Sequence, residues 1–251
     1  MREAFIYMFK DNCFCKKAFI YFLLTFLASA FFAYAQMNTC NGACPFSTRP
    51  EVINFSQTNV ILFNILGTIL NMLALGYFFN CIEAVIKQNK NILLPFFNIN
   101  SCLNKGFKSY VAIILVVFIL TLVSVLVGLF YNPAFYIFWG IVILFYMIAG
   151  VSFLWNFAND GKFISFFDFK KAYNNIVNSS RNYFKYLIVI LGLCFVSIIS
   201  SLIIEVLCNL ITIKPLATMI LTTLLSSLIS TYLAFSAVYL IAKSIRQDSV
   251  V

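Results

Sequence analysis

The chain has 251 residues, of which 63% are hydrophobic and only 10% charged, and its mean hydropathy is +0.97. A soluble domain carries about a quarter charged residues, so this composition excludes a solvated globular surface and points to a polytopic membrane protein. The net charge of +9 then reads as a topology signal rather than a nucleic-acid footprint.

A bilayer core of roughly 30 Å takes about 20 apolar residues in a helix. Six runs of that kind appear, at approximately 18–35, 60–80, 110–130, 134–157, 186–207 and 216–242. The first follows Lys16 and Lys17 and ends in Ala33-Tyr34-Ala35, which also satisfies the cleavage rule of a secretory signal peptide. The long aromatic stretch ahead of it, and the odd number of spans that cleavage would leave, favour a retained span. Between the third and fourth runs, Tyr131-Asn132-Pro133 predicts a tight hairpin, with Asn132 as N-cap and Pro133 in the first helical position.

The charges set a direction. The N-terminal tail carries Arg2, Lys10, Lys16 and Lys17, and the connection after the second run carries Lys87, Lys90, Lys105 and Lys108. The connection after the fourth carries Lys162, Lys170, Lys171, Arg181 and Lys185, and the C-terminal tail carries Lys243 and Arg246. Only Arg49 and Lys214 fall on the other side, so fifteen of the 17 basic residues share one side. Basic loops are retained in the cytoplasm, and both termini are expected there. The aromatics fit the same frame: Tyr131, Tyr136 and Trp139 cluster at one end of the fourth run, with Trp155 about 24 Å further along a helix.

Some connections are themselves patterned. Over 163–183, apolar residues recur at spacings of three and four between Lys and Asn, which predicts an amphipathic helix lying in the interface. Residues 4–10 predict a second, and residues 92–108 end in a similar basic and aromatic prelude. Interfacial element plus two-span hairpin would then repeat three times. Equally, any inward-starting span carries such a flank.

The order Ala4, Tyr7, Phe9-Lys10-Asp11, Lys16-Lys17, Leu75-Gly76-Tyr77, Val85-Ile86-Lys87, Leu94-Pro95 and Lys105-Gly106-Phe107-Lys108 resembles domain-of-unknown-function family 4013, prokaryotic multi-pass membrane proteins. The resemblance covers most of residues 1–115; Phe166-Phe167-Asp168-Phe169 and the Asn-rich stretch after it are less specific. The sequence departs from the family pattern at Leu94-Pro95-Phe96-Phe97, where acidic and tryptophan residues would follow the proline. The resemblance implies a retained first span and a prokaryotic cytoplasmic membrane. It implies no activity, catalytic residue or ligand.

Chemistry-bearing residues are sparse. The chain has no histidine, which removes Ser-His dyads, imidazole zinc sites and haem ligation by imidazole. Glu83 and Glu205 are the acidic residues nearest to spans, where a mid-bilayer charge costs about 2.5 to 3.5 kcal/mol or more. Glu83 is expected at the cytoplasmic interface, paired with Lys87 at i+4. Glu205 is expected near the outer interface within reach of Lys214, or as a cation or proton site with Ser197 and Ser201 on one helix face. Asn64 and Asn71 flank Gly67 on the second run, Thr121, Ser124 and Gly128 share a face of the third, and Thr218, Thr222, Ser226 and Ser230 repeat at i+4 on the sixth. Small and hydroxyl residues serve helix packing; a polar path for a small solute is the competing reading. No Gly-x-x-x-Gly pair occurs.

Cys40 and Cys44 flank an Asn-Gly turn in an outer loop, which suits a disulfide in an oxidising compartment, with free thiols as the competitor. Cys13 and Cys15 lack further ligands nearby, and Cys81, Cys102, Cys194 and Cys208 are expected to pack as small apolar residues. The chain therefore reads as one all-α integral membrane domain, residues 1–251: a polytopic bundle of six transmembrane helices with cytoplasmic interfacial amphipathic helices. No catalytic residue, cofactor, metal or nucleic acid is expected. The binding candidates are Asn64, Asn71, Ser201, Glu205, Thr222 and Ser226. The expected role is a non-enzymatic component that recognises membrane lipids, or assembles with other membrane proteins or with itself. A carrier for an uncharged or lipidic substrate is the first alternative, and a membrane enzyme the second.

Overall fold

In lipid, a backbone N–H or C=O finds no water, so an apolar run closes its hydrogen bonds within its own helix. The computed structural model describes residues 14–39, 57–87, 95, 97–130, 132–211 and 215–245, and every regular element among them is helical. The helices are α1 (Phe14–Thr39), α2 (Gln57–Lys87), α3 (Ile99–Phe130), α4 (Asn132–Asp160), α5 (Phe169–Asn178), α6 (Ser180–Ile211) and α7 (Pro215–Ser244), with a 3-10 turn at Phe163–Phe166 before α5. All except α5 are long and apolar enough to cross a membrane, six in number among the described residues. The molecule is an all-α, multi-pass membrane bundle.

Two boundaries differ from the sequence expectation. The basic and aromatic prelude to the third run is not a separate element but the first turns of α3, which starts at Ile99 rather than at residue 110. The interfacial helix expected over 163–183 is three pieces: the 3-10 turn, the ten residues of α5, and the first turn of α6 beyond a break at Ser179. The early start of α3, and that of α6 at Ser180 rather than at residue 186, have one cause. A lysine ends a hydropathy run, but it does not interrupt the hydrogen bonds of a helix. Between α4 and the 3-10 turn the chain leaves the helix at Gly161, whose φ of 64° suits a residue without Cβ. Asp168 then opens α5, its side chain accepting from the Lys171 N–H at 2.8 Å.

Successive spanning helices pack antiparallel. Tyr21 and Phe31 of α1 meet Tyr77 and Phe63 of α2, and α6 turns back into α7. The lysines and arginines of the described residues therefore gather at one end of the bundle, the basic end. The main core lies there too: Tyr77, Phe79 and Ile82 of α2, Phe157 of α4, Tyr183 and Leu187 of α6, and Phe235, Val238 and Leu240 of α7. Towards the opposite end α3 and α4 lose most of their neighbours, while α1 stays packed on α2, with Phe31 and Tyr34 against Phe63. There α3 buries little beyond Ser124, and α4 is exposed except for half-buried Phe138, Trp139, Val142 and Tyr146.

Candidate functional site at the basic end

Helices α2 and α3 approach closely at two glycines. A Cβ on Gly76 would lie 1.8 Å from the Cys102 carbonyl oxygen, and one on Gly106 would lie 1.9 Å from that of Met72. Only hydrogen fits at either position, so the two backbones touch. These glycines are on different helices, which is why the sequence shows no Gly-x-x-x-Gly pair.

This contact carries a polar layer. Asn80 donates to the Cys102 Sγ at 3.4 Å and accepts from the Ser101 hydroxyl at 3.1 Å. The Tyr77 hydroxyl donates to the Pro95 carbonyl at 3.1 Å. Glu83 accepts from both Lys87, one turn away, and Lys105, across the gap on α3. The fork is unequal, since the Lys105 side chain is only 13% exposed and that of Lys87 is 62% exposed. Buried Lys17 of α1 comes within electrostatic reach of Cys81 in the same region. Segments that carried the family resemblance, Gly76-Tyr77, Pro95 and Lys105-Gly106, thus meet in one place.

A second polar cluster ties α5 to α4. Asp160 accepts from Lys171 Nζ at 2.5 Å, the Ser165 hydroxyl at 3.1 Å and Asn159 at 2.9 Å. Lys108 of α3 donates to the Gly161 carbonyl at 3.3 Å. Deeper along α4, the Ser152 hydroxyl donates to the Ala172 carbonyl at 3.3 Å, and Asn175 donates to the Asn156 Oδ1 at 2.7 Å. The Nδ2 of Asn156 and the Nε1 of Trp155 are buried without a partner among the described residues. Phe157 fills the space between, its ring 4.7 Å from that of Phe79 and 4.2 Å from that of Phe166. The Tyr183 hydroxyl, at the start of α6, donates to the Ile148 carbonyl. Together these contacts bind α2, α3, α4, α5 and α6 into one block with a cationic rim.

The binding candidates named from sequence lie elsewhere and are not gathered into this block. Asn64 is exposed on α2 and donates to the Val60 carbonyl of its own helix at 2.9 Å; Asn71, two turns on, is half-buried. On α7 the Thr222 hydroxyl donates to the Thr218 carbonyl at 2.5 Å, with half-buried Ser226 one turn further. On α6 the Ser201 hydroxyl donates to the Ser197 carbonyl at 3.0 Å, with half-buried Glu205 one turn on. Its expected partner Lys214, like Cys13, Cys40 and Cys44, lies outside the described residues. Cys81, Cys102 and Cys208 are buried as expected, whereas Cys194 is exposed on α6. The expected Glu83–Lys87 pair is present, but Lys105 as the second partner was missed. So were Asn80, Asn156 and Asn175. Asparagines at the charged margin of a span were the available signal, because an amide there needs a partner from another helix.

The family described as Protein of unknown function (DUF4013) matches residues 60–209, from the start of α2 to the last turn of α6. The match includes Phe166-Phe167-Asp168-Phe169 and reaches well past residue 115, whereas Ala4, Tyr7, Phe9-Lys10-Asp11 and Lys16-Lys17 lie ahead of it. No curated protein and no solved structure matches the chain.

Proposed function

The chain belongs to the DUF4013 family of proteins of unknown function, and from that premise we propose that it is a non-enzymatic component of a prokaryotic cytoplasmic membrane that recognises lipid or assembles with membrane partners. Both termini face the cytoplasm in this reading, with the basic end on that side, as the placement of basic residues favours.

The observation that carries the proposal is the division of polar groups between the two ends. At the basic end, side chains bond across helices and leave a rim of lysine and arginine. Along the spans, Asn64, Thr121, Ser201 and Thr222 return their hydrogen bonds to their own helix carbonyls. A side chain satisfied by its own backbone gives a solute no ladder of free groups. A cationic rim at headgroup level instead suits anionic lipid.

Extraction of the full chain in mild detergent, followed by identification of what stays bound, tests this. Retained anionic phospholipid or a stoichiometric membrane protein is expected. Saturable solute flux in proteoliposomes, with nothing retained, would overturn it. For the orientation, single-cysteine variants keeping Cys13 or Cys40 are treated with an impermeant thiol reagent on intact cells. Cys40 should label and Cys13 should not; the reverse pattern means an inverted protein.

A further inference from the structure

Helix α5 has an apolar arc wider than its contact with the bundle. Ala172 and Ile176 pack towards Ala149 and Phe153 of α4. Phe169, Tyr173 and Val177, at successive i+4 positions, are 56%, 67% and 52% exposed. At about 100° per residue, these five positions form one continuous arc of about 140°, half of it on α4 and half free. The free half is continuous with the exposed side of α4. The Phe169 ring lies 5.3 Å from that of Phe153 and 6.2 Å from that of Phe145, next to exposed Ile141, Leu144 and Ile148. Contacts of α5 along α4 run from Phe145, beside Phe169, to Asp160, paired with Lys171. The packing and amide contacts between them fall from Ala149 to Asn156, about one to three turns from the end of α4, the depth at which an interfacial helix meets the headgroup boundary.

Exposed basic charges flank this arc, and the two aspartates nearby are engaged within the fold. Asp160 is taken up by Lys171, and Asp168 caps α5. Lys170 borders the free edge of the arc, and Lys162, Arg181 and Lys185 are exposed on the flanking segments.

We propose that α5, with the residues that flank it, is a docking surface for anionic phospholipid. The free apolar arc enters the acyl boundary, while Lys162, Lys170, Arg181 and Lys185 hold headgroup phosphates. This rests on the lipid-recognition reading above and assigns it to one element.

The test is titration of phosphatidylglycerol, and separately of phosphatidylcholine, into the full chain in mild detergent, with bound lipid counted by native mass spectrometry. Phosphatidylglycerol should bind in preference. Its apparent Kd should rise about fivefold for each charge removed, as in Lys170→Gln and Arg181→Gln, and about 25-fold in the double variant. Lys87→Gln, equally basic and exposed but on α2, should leave it unchanged. Tyr173→Ser should weaken binding without altering elution of the folded protein, because the arc contributes apolar contact. Phosphatidylglycerol preferred equally by wild type and by all α5 variants would overturn the assignment to α5 while leaving lipid recognition standing. No preference between the two lipids in the wild type would overturn both. Competition by soluble glycerol phosphate as strong as by the lipid would mean a phosphate site and would also overturn the proposal.

Discussion

The two halves of α4 are both largely apolar and have opposite surroundings. From Phe135 to Ile148 most side chains are exposed; from Ala149 to Ala158 every residue is buried or half-buried. Hydrophobicity cannot produce the difference, because lipid chains are as apolar as leucine and give no reason for one helix to prefer another. What changes along the helix is the availability of close backbone contact and of cross-helix polar partners. Gly76 and Gly106 bring α2 and α3 together, and Asn156, Ser152 and Asp160 hold α5 and the 3-10 turn against α4.

Matched substitutions at the two ends sharpen this contrast. Phe157→Ala, at a fully buried ring, should cost about 3–5 kcal/mol, while Ile141→Ala, on the exposed side of the same helix, should cost less than about 0.5 kcal/mol. Reversible denaturation in mixed micelles measures both, and equal effects would break the comparison. Next in size is Gly76→Ala, which must push α2 off α3 and should cost about 3 kcal/mol. A Cβ at Gly140 meets nothing within 4 Å, so Gly140→Ala should leave thermal stability unchanged or raise it by up to about 1 kcal/mol.

Smaller effects follow from the ion pairs. Glu83→Gln removes the charge shared by Lys87 and Lys105, and should cost about 1 kcal/mol after allowance for solvent screening. In a melting assay Lys105→Gln should reproduce most of that loss and Lys87→Gln little of it, because Lys87 is the more exposed partner. The smallest effect is expected for Thr222→Val. Its hydroxyl bonds within its own helix, and the change should be about 0.6 kcal/mol or less by the same assay.

The architecture was legible because its signal is long. Six apolar runs need no tertiary information. The close contact was not, because Gly76 and Gly106 lie 30 residues apart on separate helices, and their pairing depends on register. For the same reason Glu83 showed its i+4 partner but not Lys105. Over residues 163–183, periodicity correctly announced an amphipathic segment. It could not reveal the break at Ser179, since Ser179 and Ser180 leave the apolar spacing undisturbed on either side.

The contrast along α4 is tested most directly by lipid accessibility, residue by residue. Single nitroxide labels are placed from Phe135 to Asp160 in a cysteine-free background, and collision with oxygen is measured by electron paramagnetic resonance in bilayers. Accessibility should be high on most sides from Phe135 to Ile148 and then low on every side from Ala149 to Ala158. The same helical oscillation, of equal amplitude from end to end, would contradict the division of α4 into a packed stretch at the basic end and an open stretch at the opposite end.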